Sequence, residues 1–375
     1  MFENVKKILD ISEEVGTPAM EVSVFHNGKQ VFYEKRGVRD EVGTPLSDSE
    51  LYNIYSCSKF ITCSAALKLL ERGKFRLEDD LADYIPAFAN IKVKKNGGTF
   101  KADNRIKVSQ LFDMTAGLNY YCESPEIKRG ILETEGKCPT VKMMDYIAEM
   151  PLEFEPGEKW CYSLCHDVVA ALVEVVSGVR FGEFVKSEIF DKLGMTDCTY
   201  GFPKDKIERI CAQYQYDAEK KKYINIGKET VRYRLGSEYE SGGAGCVCSV
   251  SDYMKFLEGM RCGKVLKPET IELMKTNRLN EEQQKCFWGA SEYGYGLGVR
   301  APLPSKKRTD YGWGGAAGAF AAVDDINGIT IYYSQHVLSS PLGPVRKDFI
   351  EAAKLDLGYE AFVEDMYNGE GKSLA

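Results

Sequence analysis

The chain has 375 residues, of which 44% are hydrophobic and 28% charged, as expected for a globular protein with a sizeable core. The formal net charge of -7 provides no basic excess to neutralise phosphates, so we expect no nucleic-acid partner. No segment reaches the ~18 consecutive apolar residues of a membrane span, and the charged segment MFENVKKILDISEEVG lacks the apolar core of a signal peptide. These features predict a cytoplasmic protein without membrane contact, whose 12 cysteines are reduced.

The predicted elements begin with an amphipathic helix over residues 2–15. Apolar and polar side chains then alternate on both sides of Asn27-Gly28. This pair favours a tight turn, because both positions accept positive φ, so a β-hairpin over residues 19–38 is expected.

A helical pattern follows from Ser56 to Arg72, where apolar residues recur at intervals of three and four, and Gly73 is suited to end the helix. The middle of the chain is then mostly helical. Within it, helices are predicted at residues 168–178, 181–195 and 249–263.

Strand patterns return near the C-terminus around a second turn, Asn327-Gly328, and residues 344–359 are predicted to form a closing helix. Strands at both ends and helices between them indicate an α+β fold, with one antiparallel sheet flanked by helices plus a helical domain. We expect residues 1–59 and 276–375 to form the sheet domain and residues 60–275 a mainly helical insert, with the active site between them.

Ser56 and Lys59 are the first candidates for chemistry. The pattern Ser-x-x-Lys occurs once in the chain, and residues three apart share one face of a helix, so the hydroxyl and the amine would meet. The chain has three histidines and no Gly-x-Ser-x-Gly motif, so a Ser-His-Asp hydrolase is a poor fit. Cysteine and histidine spacing predicts no metal site, and no cofactor is expected.

Several segments together resemble the serine β-lactamase and penicillin-binding-protein superfamily, and most closely the branch of class C β-lactamases, D-aminopeptidases and family VIII carboxylesterases. The segments that carry the resemblance are TPLSDSELYNIYSCSKFITC and the stretch that follows it to residue 88, VSQLFDMTAGL (108–118), PGEKWCYSL (156–164) and SGGAGCVCSVSDYMKF (241–256). Met114 and Ala116 stand where this family usually has His and Ser. The resemblance implies the β-lactamase/transpeptidase-like fold.

The resemblance also implies the site residues. Ser56 would be the nucleophile, with Lys59 and Tyr162 activating it; a phenol with a pKa of ~10 becomes a usable base only beside a cation. The backbone N–H groups of Ser56 and Ala316 would form the oxyanion hole. The third motif of the family is Lys-Thr-Gly, and the corresponding segment here, residues 313–315, reads Trp-Gly-Gly.

Two departures from the family bear on the substrate, which we expect to be a small-molecule ester or amide. Trp313 replaces the lysine that anchors a substrate carboxylate, and Leu164 replaces the asparagine that pairs with an acyl-amide group. With Gly314 and Gly315, these residues are predicted to bind substrate and to favour neutral, fairly apolar esters. The predicted function is a serine hydrolase that cleaves esters, with amides or β-lactams also open. An acyltransferase, a D-aminopeptidase or β-lactamase, and a non-catalytic scaffold remain the alternatives.

Overall fold

The computed structural model describes residues 2–229, 233–289, 292–304, 307–343 and 345–362. Its helices are α1 (Glu3–Glu14), α2 (Ser58–Glu71), α3 (Val108–Phe112), α4 (Pro125–Glu133), α5 (Thr140–Ile147), α6 (Cys165–Ser177), α7 (Phe181–Val185), α8 (Asp191–Leu193), α9 (Val250–Arg261), α10 (Pro268–Lys275), α11 (Glu281–Cys286) and α12 (Asp348–Asp356). Every helix of the described residues is too short or too polar to span a lipid bilayer.

The strands are β1 (Ala19–His26), β2 (Lys29–Gly37), β3 (Tyr52–Asn53), β4 (Lys92–Lys95), β5 (Gly98–Lys101), β6 (Thr199–Tyr200), β7 (Gln213–Asp217), β8 (Lys222–Gly227), β9 (Cys246–Cys248), β10 (Tyr293–Tyr295), β11 (Arg300–Pro302), β12 (Tyr311–Gly314), β13 (Phe320–Asp324), β14 (Ile329–Gln335) and β15 (Val337–Leu338). The principal sheet has seven strands in the order β10-β11-β12-β13-β14-β1-β2, and neighbouring strands in it are antiparallel.

This sheet joins the two ends of the chain, as the sequence predicts. Val22 of β1 lies opposite Tyr333 of β14, so the first hairpin continues the sheet of the C-terminal strands. The two Asn-Gly turns meet as well, because the Asn27 N–H donates to the Gly328 carbonyl at 2.8 Å. The antiparallel sheet flanked by helices confirms the predicted fold class.

Helices cover the principal sheet on both faces. On one face, α1 and α12 bury Val5, Leu9 and Ile350 against Val22 and Ile331 of the sheet. On the other face, α9 packs against β13, β14 and β1. Removing these side chains from water stabilises the layered arrangement by roughly 25 cal/mol for each Å² of apolar surface.

The middle of the chain contains more strand than expected. Three small sheets lie there or reach into it: β4 pairs with β5, β9 lies between β3 and β6, and β7 lies between β8 and β15. The helix predicted over residues 181–195 is interrupted by a π-helical turn, Lys186–Phe190. The domain boundaries at residues 59 and 276 stay a prediction.

Two cysteines correct the expectation of fully reduced thiols, because a disulfide joins Cys198 to Cys248. Thr199 of β6 lies opposite Val247 of the antiparallel strand β9. Cys198 immediately precedes β6 and continues this register, so it lies opposite Cys248 at the end of β9, which brings the two side chains together.

Candidate active site

Ser56 lies in a tight turn immediately before α2. The turn is a short 3₁₀ helix, Tyr55–Cys57, and Tyr55 has a φ of 47°, in the left-handed region that a bulky side chain rarely adopts. The Tyr55 side chain is buried, and its hydroxyl donates to Gln213 Oε1, which holds the turn in place. Strained backbone of this kind is maintained only where the surroundings enforce it.

Lys59 lies one turn further along, in α2, and is fully buried. Its Nζ donates to Ser56 Oγ at 3.3 Å, to the Tyr120 hydroxyl at 3.4 Å and to the Gly243 carbonyl at 2.7 Å. Three acceptors match the three N–H bonds of an ammonium group, so the buried cation is fully hydrogen-bonded. Within the described residues, no carboxylate forms an ion pair with it.

Tyr162 precedes α6 and completes the group. Its hydroxyl donates to Ser56 Oγ in a very short hydrogen bond. Lys59 Nζ lies over the same phenol ring, 4.5 Å from its centroid, where a cation is attracted by the ring and stabilises a phenolate. The structure therefore brings together the hydroxyl, the amine and the phenol that the sequence singles out, although Tyr162 is distant from Ser56 in the chain.

Strand β12 and the turn after it form the opposite wall. The Cys57 thiol donates to the Trp313 carbonyl at 3.8 Å, which connects the strand to the turn that carries Ser56. A Cβ on Gly315 would lie 2.5 Å from the Ile54 carbonyl oxygen, so only glycine allows this approach. Ala316 is exposed and lines the same cavity as Ser56, where its backbone could serve an oxyanion.

The cavity has a volume of about 510 Å³ and a largely aromatic wall. The rings that line it are Tyr162, Phe287, Trp288, Tyr293, Trp313 and Phe320. Trp313 stacks on Tyr162 with ring centroids 6.0 Å apart, and Trp288 packs on the same ring at 4.8 Å while remaining 70% exposed. Such a wall can accommodate apolar groups next to the Ser56 hydroxyl.

Arg346 adds a positive charge to this wall. Its Nη1 donates to the Gly315 carbonyl at 2.6 Å, and Gly314 leaves room for the guanidinium, whose Cζ would be 3.3 Å from a Cβ there. Among the described residues no carboxylate forms an ion pair with Arg346. The neighbouring cations are paired instead: Arg300 with Asp310, Arg308 with Glu292 and Glu351, Lys347 with Glu292, and Lys354 with Asp324 and Glu351.

Tyr120 and Asp167 also belong to the site, although the sequence analysis misses both. Tyr120 stacks on Tyr162 with centroids 5.5 Å apart and nearly parallel rings, and burial raises the pKa of its hydroxyl well above the usual value. Asp167 is buried in the first turn of α6. A signal for Tyr120 exists, since it lies two residues beyond the segment 108–118 that resembles the family.

Leu164 differs from its predicted role as a substrate contact. It is 2% exposed, belongs to the main hydrophobic core and does not line the cavity. It is the N-cap residue of α6, and its N–H donates to the Asn119 carbonyl at 3.0 Å. An apolar side chain at the start of a buried helix packs inward, which explains its place outside the cavity. Trp313, Gly314 and Gly315 do line the cavity.

The two buried histidines, His166 and His336, form hydrogen bonds with backbone carbonyls away from Ser56. Burial lowers the pKa of His166 to about 3, so the ring is neutral at physiological pH, and its Nε2 lies 3.1 Å from the Phe112 carbonyl. His336 is also buried with a pKa lowered to about 4. Over the described ranges, no group of three or more histidine, cysteine or acidic side chains has the arrangement of a metal site.

Comparisons with known proteins agree with this geometry. Esterase EstB of Burkholderia gladioli is 26% identical over 364 residues, covering 88% of this chain and 89% of the esterase. Two solved structures share the fold at 20% identity. EstCE1, a hydrolase with promiscuous acyltransferase activity, has a TM-score of 0.76, and the match covers 96% of this chain and 98% of EstCE1. The simvastatin synthase LovD from Aspergillus terreus has a TM-score of 0.79, and the match covers 95% of this chain and 98% of LovD. The beta-lactamase family model matches residues 5–354, and the chain therefore belongs to the beta-lactamase family.

Proposed function

We propose that the protein is a serine esterase that forms an acyl-enzyme on Ser56. The observation that carries the proposal is the convergence of three groups: Tyr162 donates to Ser56 Oγ, and Lys59 Nζ contacts both the hydroxyl and the phenol ring. A hydroxyl is a weak nucleophile unless an adjacent base removes its proton, and this arrangement supplies the base.

The reaction proceeds from the form in which Tyr162 is a phenolate beside the Lys59 ammonium group: Ser56 Oγ attacks the carbonyl carbon of the ester and passes its proton to the Tyr162 oxygen. The negative charge that develops on the carbonyl oxygen is stabilised by the backbone N–H groups of Ser56 and Ala316. Tyr162 then protonates the departing alcohol, and the acyl group remains on Ser56. A water molecule, activated by the same phenol, releases the carboxylic acid.

The cavity walls support a substrate class. The aromatic wall around Trp288 and Trp313 favours an apolar acyl or alcohol group. Arg346 favours an anionic group in addition, because no carboxylate among the described residues pairs with it and such a cation gains most from a bound anion. This replaces the sequence-based expectation of neutral esters: we propose an ester with an apolar group and a carboxylate.

A direct test compares three chromogenic substrates: p-nitrophenyl butyrate, the mono-p-nitrophenyl ester of adipic acid, and a cephalosporin. We expect both esters to leave an acyl adduct on Ser56 in intact-mass spectra, none after Ser56→Ala, and the adipate ester to have the higher kcat/KM. In Arg346→Met the advantage of the adipate ester should fall at least 5-fold while butyrate turnover changes less. Turnover of the cephalosporin well above both esters would refute the esterase proposal.

Acyl transfer is the second candidate. Relatives named for this activity include ML-236A carboxylate methylbutanoyltransferase of Penicillium citrinum, which is 27% identical over 77% of this chain. The open cavity leaves room for an alcohol in place of water. An alcohol that accelerates acyl-enzyme breakdown and appears as a new ester in the products would favour transfer over hydrolysis. The cytoplasmic location stays a prediction from the sequence.

A further inference from the structure

The peptide group between Gly315 and Ala316 is hydrogen-bonded at one end and free at the other. The Gly315 carbonyl oxygen accepts from Arg346 Nη1 at 2.6 Å and from the Gly318 N–H at 3.0 Å. The Ala316 N–H, at the other end of the same peptide bond, forms no hydrogen bond with another described residue. Because Ala316 lines the cavity together with Ser56, its N–H is available to a bound substrate.

The orientation of this peptide group is fixed by its own geometry and by the turn around it. The described peptide bonds are trans, so the C=O and the N–H of one peptide group point in opposite directions. The bond from Gly318 closes a tight turn, and the Gly315 N–H donates to the Ala319 carbonyl at 2.8 Å. The carbonyl oxygen of Gly315 therefore points to Arg346, and the free N–H points away from it.

Arg346 brings to this carbonyl a positive charge that no acid among the described residues neutralises. Arg300 also lines the cavity, but its guanidinium is paired with Asp310 at 2.6 Å. An arginine is charged at every pH at which an enzyme is assayed. The charge of Arg346 therefore acts on the Gly315 carbonyl without a competing ion pair.

A cation at a peptide oxygen changes the other end of the peptide group. It favours the resonance form with negative charge on oxygen and a C–N double bond, which makes the N–H a stronger donor. Hydrogen bonds linked in this way strengthen one another by roughly 10–30%. One oxyanion donor accounts for about 100- to 1000-fold in rate, so the polarisation corresponds to a factor of about 3-fold.

We propose that Arg346 is a positioning residue for the oxyanion: it orients and polarises the Gly315–Ala316 peptide group and so strengthens the Ala316 N–H as a donor. When Ser56 Oγ bonds to the ester carbon, the C=O π electrons move to oxygen, and they return when the alcohol leaves. Arg346 keeps its proton throughout. This inference rests on the esterase proposal. It is separate from carboxylate binding, because the other N–H groups of the guanidinium stay available to a substrate.

The test is the infrared band of the acyl carbonyl in the butyryl-enzyme, formed from p-nitrophenyl butyrate labelled with ¹³C at that carbon. Butyrate has no carboxylate, so the substrate-binding role of Arg346 does not enter. In Arg346→Met we expect one band at higher frequency than in the wild type, and an acylation burst slower by about 3-fold. A band at the wild-type frequency would overturn the proposal. So would a second band at the frequency of a free ester, because Arg346 would then only hold the turn in place.

Lys347→Met is the matched control, because it removes a cation that lines the same cavity but pairs with Glu292 instead of the Gly315 carbonyl. Its band should stay at the wild-type frequency, and an equal shift in both variants would contradict the peptide mechanism. If Arg346→Met does not fold, Arg346→Gln removes the charge but keeps a polar side chain. Its band should also lie above that of the wild type, and an unchanged band would refute the role of the charge. A wild-type protein without any butyryl adduct on Ser56 would instead refute the esterase proposal itself, and this inference with it.

Discussion

Gly315→Ala tests whether the close approach of β12 to the turn that carries Ser56 sets the rate of acylation. The new Cβ would lie 2.5 Å from the Ile54 carbonyl oxygen and 3.2 Å from the Ala319 Cβ, whereas ordinary contacts begin at 3.4 Å. The strand must therefore move away by close to an ångström, which moves Ala316 away from Ser56. Displacements of this size cost about 100-fold in rate, comparable to the loss of one oxyanion-hole donor.

The assay is the burst rate of p-nitrophenol release, with the melting temperature measured in parallel. We expect the acylation rate of Gly315→Ala to fall about 100-fold, and the overpacking to destabilise the fold by about 1–3 kcal/mol. Gly314→Ala is the control, because its Cβ would fit with a smaller adjustment. It would lie 3.2 Å from the Ala319 carbonyl oxygen and 3.3 Å from the Arg346 guanidinium, which belongs to a flexible side chain. A folded Gly315→Ala protein with the wild-type burst rate would contradict the argument.

Two further variants test groups near and far from the cavity. Tyr120→Phe removes the hydroxyl that accepts a hydrogen bond from Lys59 at 3.4 Å but keeps the stacked ring. Acylation should therefore slow by about 5-fold, the equivalent of ~1 kcal/mol, with little change in Tm. A rate loss beyond about 100-fold would mean that Tyr120 itself takes part in proton transfer. Burial raises the pKa of Glu21 to about 7, so the folded state favours the protonated acid, and the free energy of unfolding should fall as pH rises from about 4.5 to 7 and stay low above that. Glu21→Gln should therefore be more stable than the wild type at pH 8 by about 3 kcal/mol and equal to it at pH 4; urea unfolding that shows the same difference at both pH values would contradict the assignment.

The proximity of Ser56 and Lys59 could be predicted because its geometry is local. Ser56 and Lys59 are three residues apart on one helical face, and that spacing alone brings the two groups together. The Asn-Gly turns likewise mark the hairpins of the principal sheet. Tyr162 could be predicted only from the resemblance of a whole segment to a known family, because its local sequence does not distinguish it from the other tyrosines among the 22 in the chain.

The rest of the site depends on tertiary packing that no local pattern shows. Tyr120 reaches Lys59 across 61 residues, and Arg346 reaches Gly315 across 31. Leu164 is the opposite case. Its position in a family motif predicts a substrate contact, but at the N-cap of α6 its apolar side chain packs into the hydrophobic core. The sequence does not predict the Cys198–Cys248 disulfide, because the expected cellular compartment does not determine which strands become neighbours.

The tie between the Cys57 thiol and the Trp313 carbonyl spans 256 residues, and it has a consequence for biosynthesis. The ribosome delivers Ser56 early and the strand that faces it late, so a growing chain presents this serine before Ala316 can complete the proposed oxyanion hole. Closing so long a loop also makes folding slow, in keeping with the high contact order of such topologies. On the proposed mechanism, Ser56 therefore becomes reactive only when the polypeptide is nearly complete.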